Sequence, residues 1–224
     1  MKSHFISLFV LWAFGGMHML SLSASSQNDV PERLNKMVQV HESHGSSLSA
    51  LFTDILSSAH LPGGVVTVPD CVSPDETKFS ISALTTRVQD ALNSITAMDK
   101  RYRWEMQGGA ANLLPASGEP EFLKTKIQDF KIDESRTTVL FASGILLQNS
   151  DVQRAAAQLG LKKDDLEIYV GGVTPGTEIR LHLQNVTVRE ALNAIANAHG
   201  HGIWRYSESH CNGKRVFTIT WIVS

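Results

Sequence analysis

The chain has 224 residues, with 20 Lys and Arg against 22 Asp and Glu, for a formal net charge of -2. So even a balance offers no basic footprint for nucleic acid and no polybasic surface for a membrane. An apolar fraction of 42% and a charged fraction of 19% are those of an ordinary globular protein rather than a disordered one.

The chain opens as a secretory signal peptide. Lys2 supplies a positive start, residues 5–14 an apolar run, and Ser21, Ser23 and Ala24 the small residues that signal peptidase needs. Gly15, Gly16 and His18 interrupt the run, leaving it shorter than the roughly 20 residues of a spanning helix. Residues 1–24 are expected to be removed, and no Cys near the cut offers a lipid anchor. The mature chain is therefore expected in the periplasm or secreted, with no integral membrane segment.

After the signal, residues 30–44 read as a helix with Pro31 in its first turn. A second helix is expected over 48–59, a strand over 65–68, a Pro-bearing turn, and a strand over 78–82. The next helix starts after Thr85 and Thr86, with Val88, Ala91, Leu92 and Ile95 on one face. A strand at 102–106 follows, and residues 112–114 give a weak ending. Residues 116–120 (Ala-Ser-Gly-Glu-Pro) read as a linker. Beyond it come a strand at 126–132 and an apolar run, 137–147, compatible with helix or strand. Then follow a helix at 151–159 and strands at 167–170 and 178–183. A helix opens at Thr187 with Glu190 three residues on, as in a capping box. Strands at 203–206 and 215–221 close the chain, the last entered by the Asn212-Gly213 hairpin signal.

These elements repeat. Arg87-Val88-Gln89-Asp90-Ala91-Leu92-Asn93-Ser94-Ile95 recurs one hundred residues later as Thr187-Val188-Arg189-Glu190-Ala191-Leu192-Asn193-Ala194-Ile195, and the offset holds to Trp104 and Trp204. A constant offset across helix, aromatic and preceding strand is the mark of a duplicated unit. The expected fold class is α+β: two similar small modules, residues 28–115 and 125–224, joined by 116–124, each a short mixed sheet packed with two helices.

Two cysteines, Cys71 and Cys211, fall one in each module. In an oxidising compartment a disulfide between them is the natural reading. Two buried thiols, or pairing between chains, are the alternatives.

The stretch Leu183-Gln184-Asn185-Val186-Thr187-Val188-Arg189-Glu190-Ala191-Leu192-Asn193-Ala194-Ile195, followed by His201-Gly202-Ile203-Trp204, resembles the short N-terminal domain of secretins and TonB-dependent receptors. Residues 83–95 fit the same pattern more loosely. The resemblance implies small α+β domains of the cell envelope that bind other proteins, and it identifies no catalytic residue. No secretin core or β-barrel is expected after the second copy. What the resemblance implies is an envelope accessory module with another envelope protein as partner, engaged by strand addition.

Candidates for chemistry are weak. His199, His201, His210 and Cys211 cluster near the end and include metal-ligand types, but His199-Gly200 also suits a helix C-terminus. His41 and His44 read as a helix end. No Gly-x-Ser-x-Gly and no phosphate-loop pattern occurs. Asn185-Val186-Thr187 is a glycosylation sequon that an envelope domain does not need. No catalytic, cofactor or metal residue is assigned, and the expected role is non-enzymatic. The alternatives are a small-ligand binder in the groove between modules, with Trp104 or Trp204 at its wall, and a metal-dependent hydrolase at the His cluster.

Overall fold

A computed structural model describes residues 30–69, 77–164, 177–200 and 202–222. The signal segment, Cys71, the strand expected at 167–170 and His201 lie outside the described residues. The first half of the chain contains α1 (Val30–Asn35), β1 (Met37–Val40), β2 (Ser43–Ser47), α2 (Leu48–Ala59), β3 (Gly63–Thr67), β4 (Lys78–Ile81), β5 (Leu84–Arg87), α3 (Val88–Ala97), β6 (Tyr102–Gln107) and β7 (Ala110–Pro115). The second contains α4 (Glu121–Lys124), β8 (Lys126–Thr137), α5 (Val139–Gln148), α6 (Ser150–Gln158), β9 (Leu161–Lys163), β10 (Thr177–Thr187), α7 (Val188–His199), β11 (Ile203–Cys211) and β12 (Lys214–Ile222). The fold is mixed α+β, as expected.

The halves follow one plan. Each opens with a twisted antiparallel ribbon: β1 with β5 and β2 with β4 in the first half, β8 with β10 in the second. Each ribbon feeds a helix capped by a hydroxyl. Ser47 accepts from the Ala50 N–H at α2, and Thr138 from the Phe141 N–H at α5. Each half ends in a helix and a hairpin, and the same bond ties them. Trp104 Nε1 donates to Asn93 Oδ1 at 2.9 Å, and Trp204 Nε1 donates to Asn193 Oδ1 at 2.9 Å.

The hairpins and β3 and β9 form a single six-stranded sheet in the order β6-β7-β3-β11-β12-β9. The first half supplies β6-β7-β3, the second β11-β12-β9, so like follows like across the sheet. They join where β3 and β11 run parallel, Ile203 opposite Gly63 through Ser207 opposite Thr67. The junction is shaped by glycine. A Cβ on Gly64 would stand 2.1 Å from the Trp204 ring, and one on Gly63 2.4 Å from the Ala111 carbonyl oxygen.

Alternation along the strands separates two cores. On one face Val65, Leu113 and Ile203 pack with Leu51, Phe52 and Ile55 of α2 and Leu92 of α3. On the other, Val66, Leu114, Trp204, Tyr206 and Phe217 pack with Phe122 of α4, Leu146 of α5 and Leu192 of α7. The Phe122 ring lies 4.6 Å from that of Phe217 and 5.9 Å from that of Tyr206.

Three expectations change. The helix expected over 30–44 stops at Asn35. Met37-Val38-Gln39-Val40 alternates, with Val38 buried and its neighbours open, and pairs with β5 instead. His41 therefore sits between strands and His44 lies within β2, neither at a helix end. The weak ending at 112–114 is β7, a strand with every residue buried. A continuous apolar stretch without alternation marks a strand covered on both faces, so the half-buried template misses it. The run 137–147 resolves as helix α5, whose cap Thr138 gives the start signal.

Candidate interaction site

The junction between the halves is the most elaborated contact in the molecule. Helix α7 belongs to the second half, yet its outer face lies over the first half's hairpin. Arg189, Asn193 and Asn197 stand at i, i+4 and i+8 and so share one stripe. Arg189 Nη1 donates to Glu105 Oε1 at 2.7 Å and Nε faces Glu119 Oε1 at 2.8 Å. Asn193 Nδ2 donates to the Gln107 carbonyl and side-chain oxygens at 3.3 Å, and Asn197 Nδ2 donates to the Gly108 carbonyl at 2.8 Å. From the other face Arg205 Nη2 donates to Ser49 Oγ of α2 at 3.1 Å.

The two carboxylates on Arg189 respond differently. Burial pushes Glu105 up, but hydrogen bonds from Arg189 and Arg103 outweigh it and hold the group below the ordinary glutamate value. Glu119 lacks a well-directed hydrogen bond from the Arg189 Nε–H, and burial lifts it above the usual value against the attraction of Arg189.

A second polar cluster closes the far end of the β11–β12 hairpin. Glu208, 4% exposed, accepts from Tyr206 Oη at 2.5 Å, lies 2.6 Å from His210 Nε2, and accepts from Arg215 Nη2 at 3.0 Å. Burial raises the Glu208 carboxyl, while the bonds from Tyr206, His210 and Arg215 bring it below the ordinary value. The cluster is saturated by its own members, which suits a structural clasp.

His199 ends α7, and His210 is drawn to Glu208. Among the described residues no group of three or more metal-ligating side chains forms. Cys211 ends β11. A cavity of about 290 Å³ beside α2 is lined by His41, Asp54, Ser57 and Ser58. Among the described residues no hydrogen bond links these four side chains, so none activates a serine. Trp204 is fully buried in the junction, and Trp104 at the edge strand is half-buried.

Among the described residues β6 and β9 are the outer strands of the sheet, and no described helix is long and apolar enough to cross a membrane. The stripe Arg189, Asn193, Asn197 escaped sequence reasoning. The four-residue spacing of Arg189, Asn193 and Asn197, on a helix whose other polar residues are only Glu190 and His199 near its ends, was the available signal. No protein-family model, curated protein or solved structure matches the chain.

Proposed function

We propose that this is an exported, non-enzymatic cell-envelope protein that engages another protein by adding a strand to its sheet. The β3–β11 junction supports this reading most directly. There, one half of the molecule already completes itself by adding the other's strand in parallel, which is the physics of strand addition between chains. At one edge of the sheet, among the described residues, β6 offers a six-residue outer strand carrying a half-buried tryptophan. A backbone edge beside an aromatic gives both hydrogen-bond affinity and a side-chain anchor. The signal-like residues 1–24 and the resemblance to envelope domains agree with the location. Within this reading Cys71 and Cys211 form a disulfide, and non-reducing mass analysis would show the loss of two hydrogens.

Photo-crosslinking in the native envelope tests the reading. A crosslinker at Arg103, on β6, is expected to trap a protein in one discrete adduct. The same group at Glu32, on α1, is not. An equal adduct pattern at both positions, or none at Arg103, would overturn strand addition at this edge.

A further inference from the structure

The ribbons of the two halves differ in one respect. In the second half β8 and β10 keep one register from Lys126 opposite Thr187 to Asp133 opposite Arg180. In the first half the ribbon breaks. Val40 lies opposite Leu84 and Ser43 opposite Ile81, and between them residues 41–42 and 82–83 leave the ladder on both sides. Beside this break and α2 lies the cavity of about 290 Å³ that His41 and Asp54 line. All of its lining comes from the first half, and it shares no residue with β6 or with the α7 stripe.

The cavity has an apolar floor and an acidic mouth. Leu51, Asp54, Ile55 and Ser58 stand at i, i+3, i+4 and i+7 of α2 and so share one stripe. Leu51 and Ile55 are each 2% exposed, and Val40 and Ile81 of the ribbon are half-buried against the same core. Asp54 and Glu42 carry the charge, and among the described residues that line the cavity there is neither Lys nor Arg. Glu42 faces the exposed imidazole of His44 at 3.0 Å. Among the described residues no hydrogen bond or ion pair holds the Asp54 carboxylate. It keeps access to solvent, yet partial burial lifts it above the ordinary aspartate value, against the attraction of His41. A carboxylate so placed gains most from a cation that brings its own N–H donors.

We infer that this cavity binds a small organic cation, a primary ammonium on a short aliphatic stem, with the ammonium at Asp54 and the stem on Leu51, Ile55, Val40 and Ile81. Size, charge and lining each select this class. The volume stands at the lower bound of small-molecule sites, which begin at about 300 Å³, so a compact ligand fills it. Two carboxylates repel an anion. A metal ion needs more ligands than they supply, and among the described residues no group of three or more metal-ligating side chains forms. The apolar floor rewards an aliphatic stem. An ammonium has three N–H donors to divide between the Asp54 carboxylate and the hydroxyls of Ser57 and Ser58, which also line the cavity. The site stands whatever partner adds at β6.

Isothermal titration calorimetry with n-hexylammonium chloride, on the protein recovered from secretory expression of the full chain, tests this. At about pH 8 an alkylammonium keeps its proton. One saturable site is expected. From n-propylammonium to n-hexylammonium the affinity is expected to rise by up to about fourfold per methylene buried. Sodium hexanoate, a similar stem with the opposite charge, is expected not to bind. Asp54→Asn removes the charge and keeps the shape, and is expected to weaken n-hexylammonium binding at least about tenfold. Ser58→Phe occludes the cavity and is expected to abolish binding. Glu121→Gln, which removes an exposed carboxylate on α4, is expected to change nothing. Circular dichroism spectra that superimpose on the wild type show that the two cavity variants are folded. Equal affinity for n-hexylammonium and hexanoate, or no saturable binding up to about 10 mM, would overturn the inference. So would an affinity independent of stem length, or one that folded Asp54→Asn or Ser58→Phe leaves unchanged. The comparisons of stem length and of charge need only the wild type, so a variant that fails to fold does not shelter the inference.

Discussion

Glu208 shows how a charge survives inside this sheet. A lone carboxylate at 4% exposure costs several kcal/mol. Here Tyr206, His210 and Arg215 surround it at 2.5 to 3.0 Å, and the net effect is a carboxyl held below its ordinary value. A group more acidic in the folded than in the unfolded state stabilises the fold above its unfolded pKa. That contribution is lost as pH falls through the folded value. Glu208→Gln is therefore expected to lower stability at pH 7 by about 2–4 kcal/mol, as breaking a buried charged network does. The difference should shrink as the pH is lowered below the ordinary glutamate range. Urea unfolding at pH 7 and at pH 3.5 checks this, and a pH-independent difference would mean that packing, not charge, holds the cluster.

Among the elements, α3 and α7 are one motif with unequal caps. Thr187 accepts from the Glu190 N–H at 3.1 Å, and Glu190 reaches back to the Thr187 N–H at 2.6 Å. Arg87, at the same place before α3, makes no side-chain cap bond. Thr187→Ala is expected to cost about 1 kcal/mol, the usual value of a lost cap. Arg87→Ala removes only an exposed pair with Asp90 and should cost less than about 0.5 kcal/mol, read from denaturation midpoints. The capping box was legible from Thr187 and Glu190 alone, and so were both helix faces, because 3.6-residue periodicity is local. The Asn212-Gly213 turn was legible for the same reason; both residues take positive φ, 53° and 71°. The strand β1 was misjudged because its partner β5 is not a neighbour in sequence, and β7, though it follows its hairpin partner β6 directly, because burial on both faces removes the alternation. For the candidate site, the repeat was visible as a hundred-residue offset. Which surfaces it buries was not, since that depends on β3 pairing with β11 across about 140 residues.

On the scale of the whole molecule, the duplication does not leave two independent beads. One sheet runs through both halves, Trp204 of the second half rests on Gly64 of the first, and α7 packs on a hairpin it does not precede. Neither core is owned by one half alone: Ile203 lies in the first core, and Val66 and Leu114 in the second. Elements that share cores in this way unfold together, so a single cooperative transition is expected. Arg189 is where that coupling concentrates, since its side chain, 10% exposed, joins Glu105 of β6 and Glu119 beyond β7. Removing it leaves Glu119 without the guanidinium that faces it and Glu105 with Arg103 alone, a change of at most about 3–5 kcal/mol, the range for breaking a buried pair. Arg189→Ala is therefore expected to do more than lower the midpoint. The loss falls on the contact between halves rather than within either, so tryptophan fluorescence and far-ultraviolet circular dichroism should cease to coincide in urea. In the wild type they should superimpose. A variant that keeps one coincident transition, merely shifted, would place the coupling in the β3–β11 strand pair rather than in the α7 stripe.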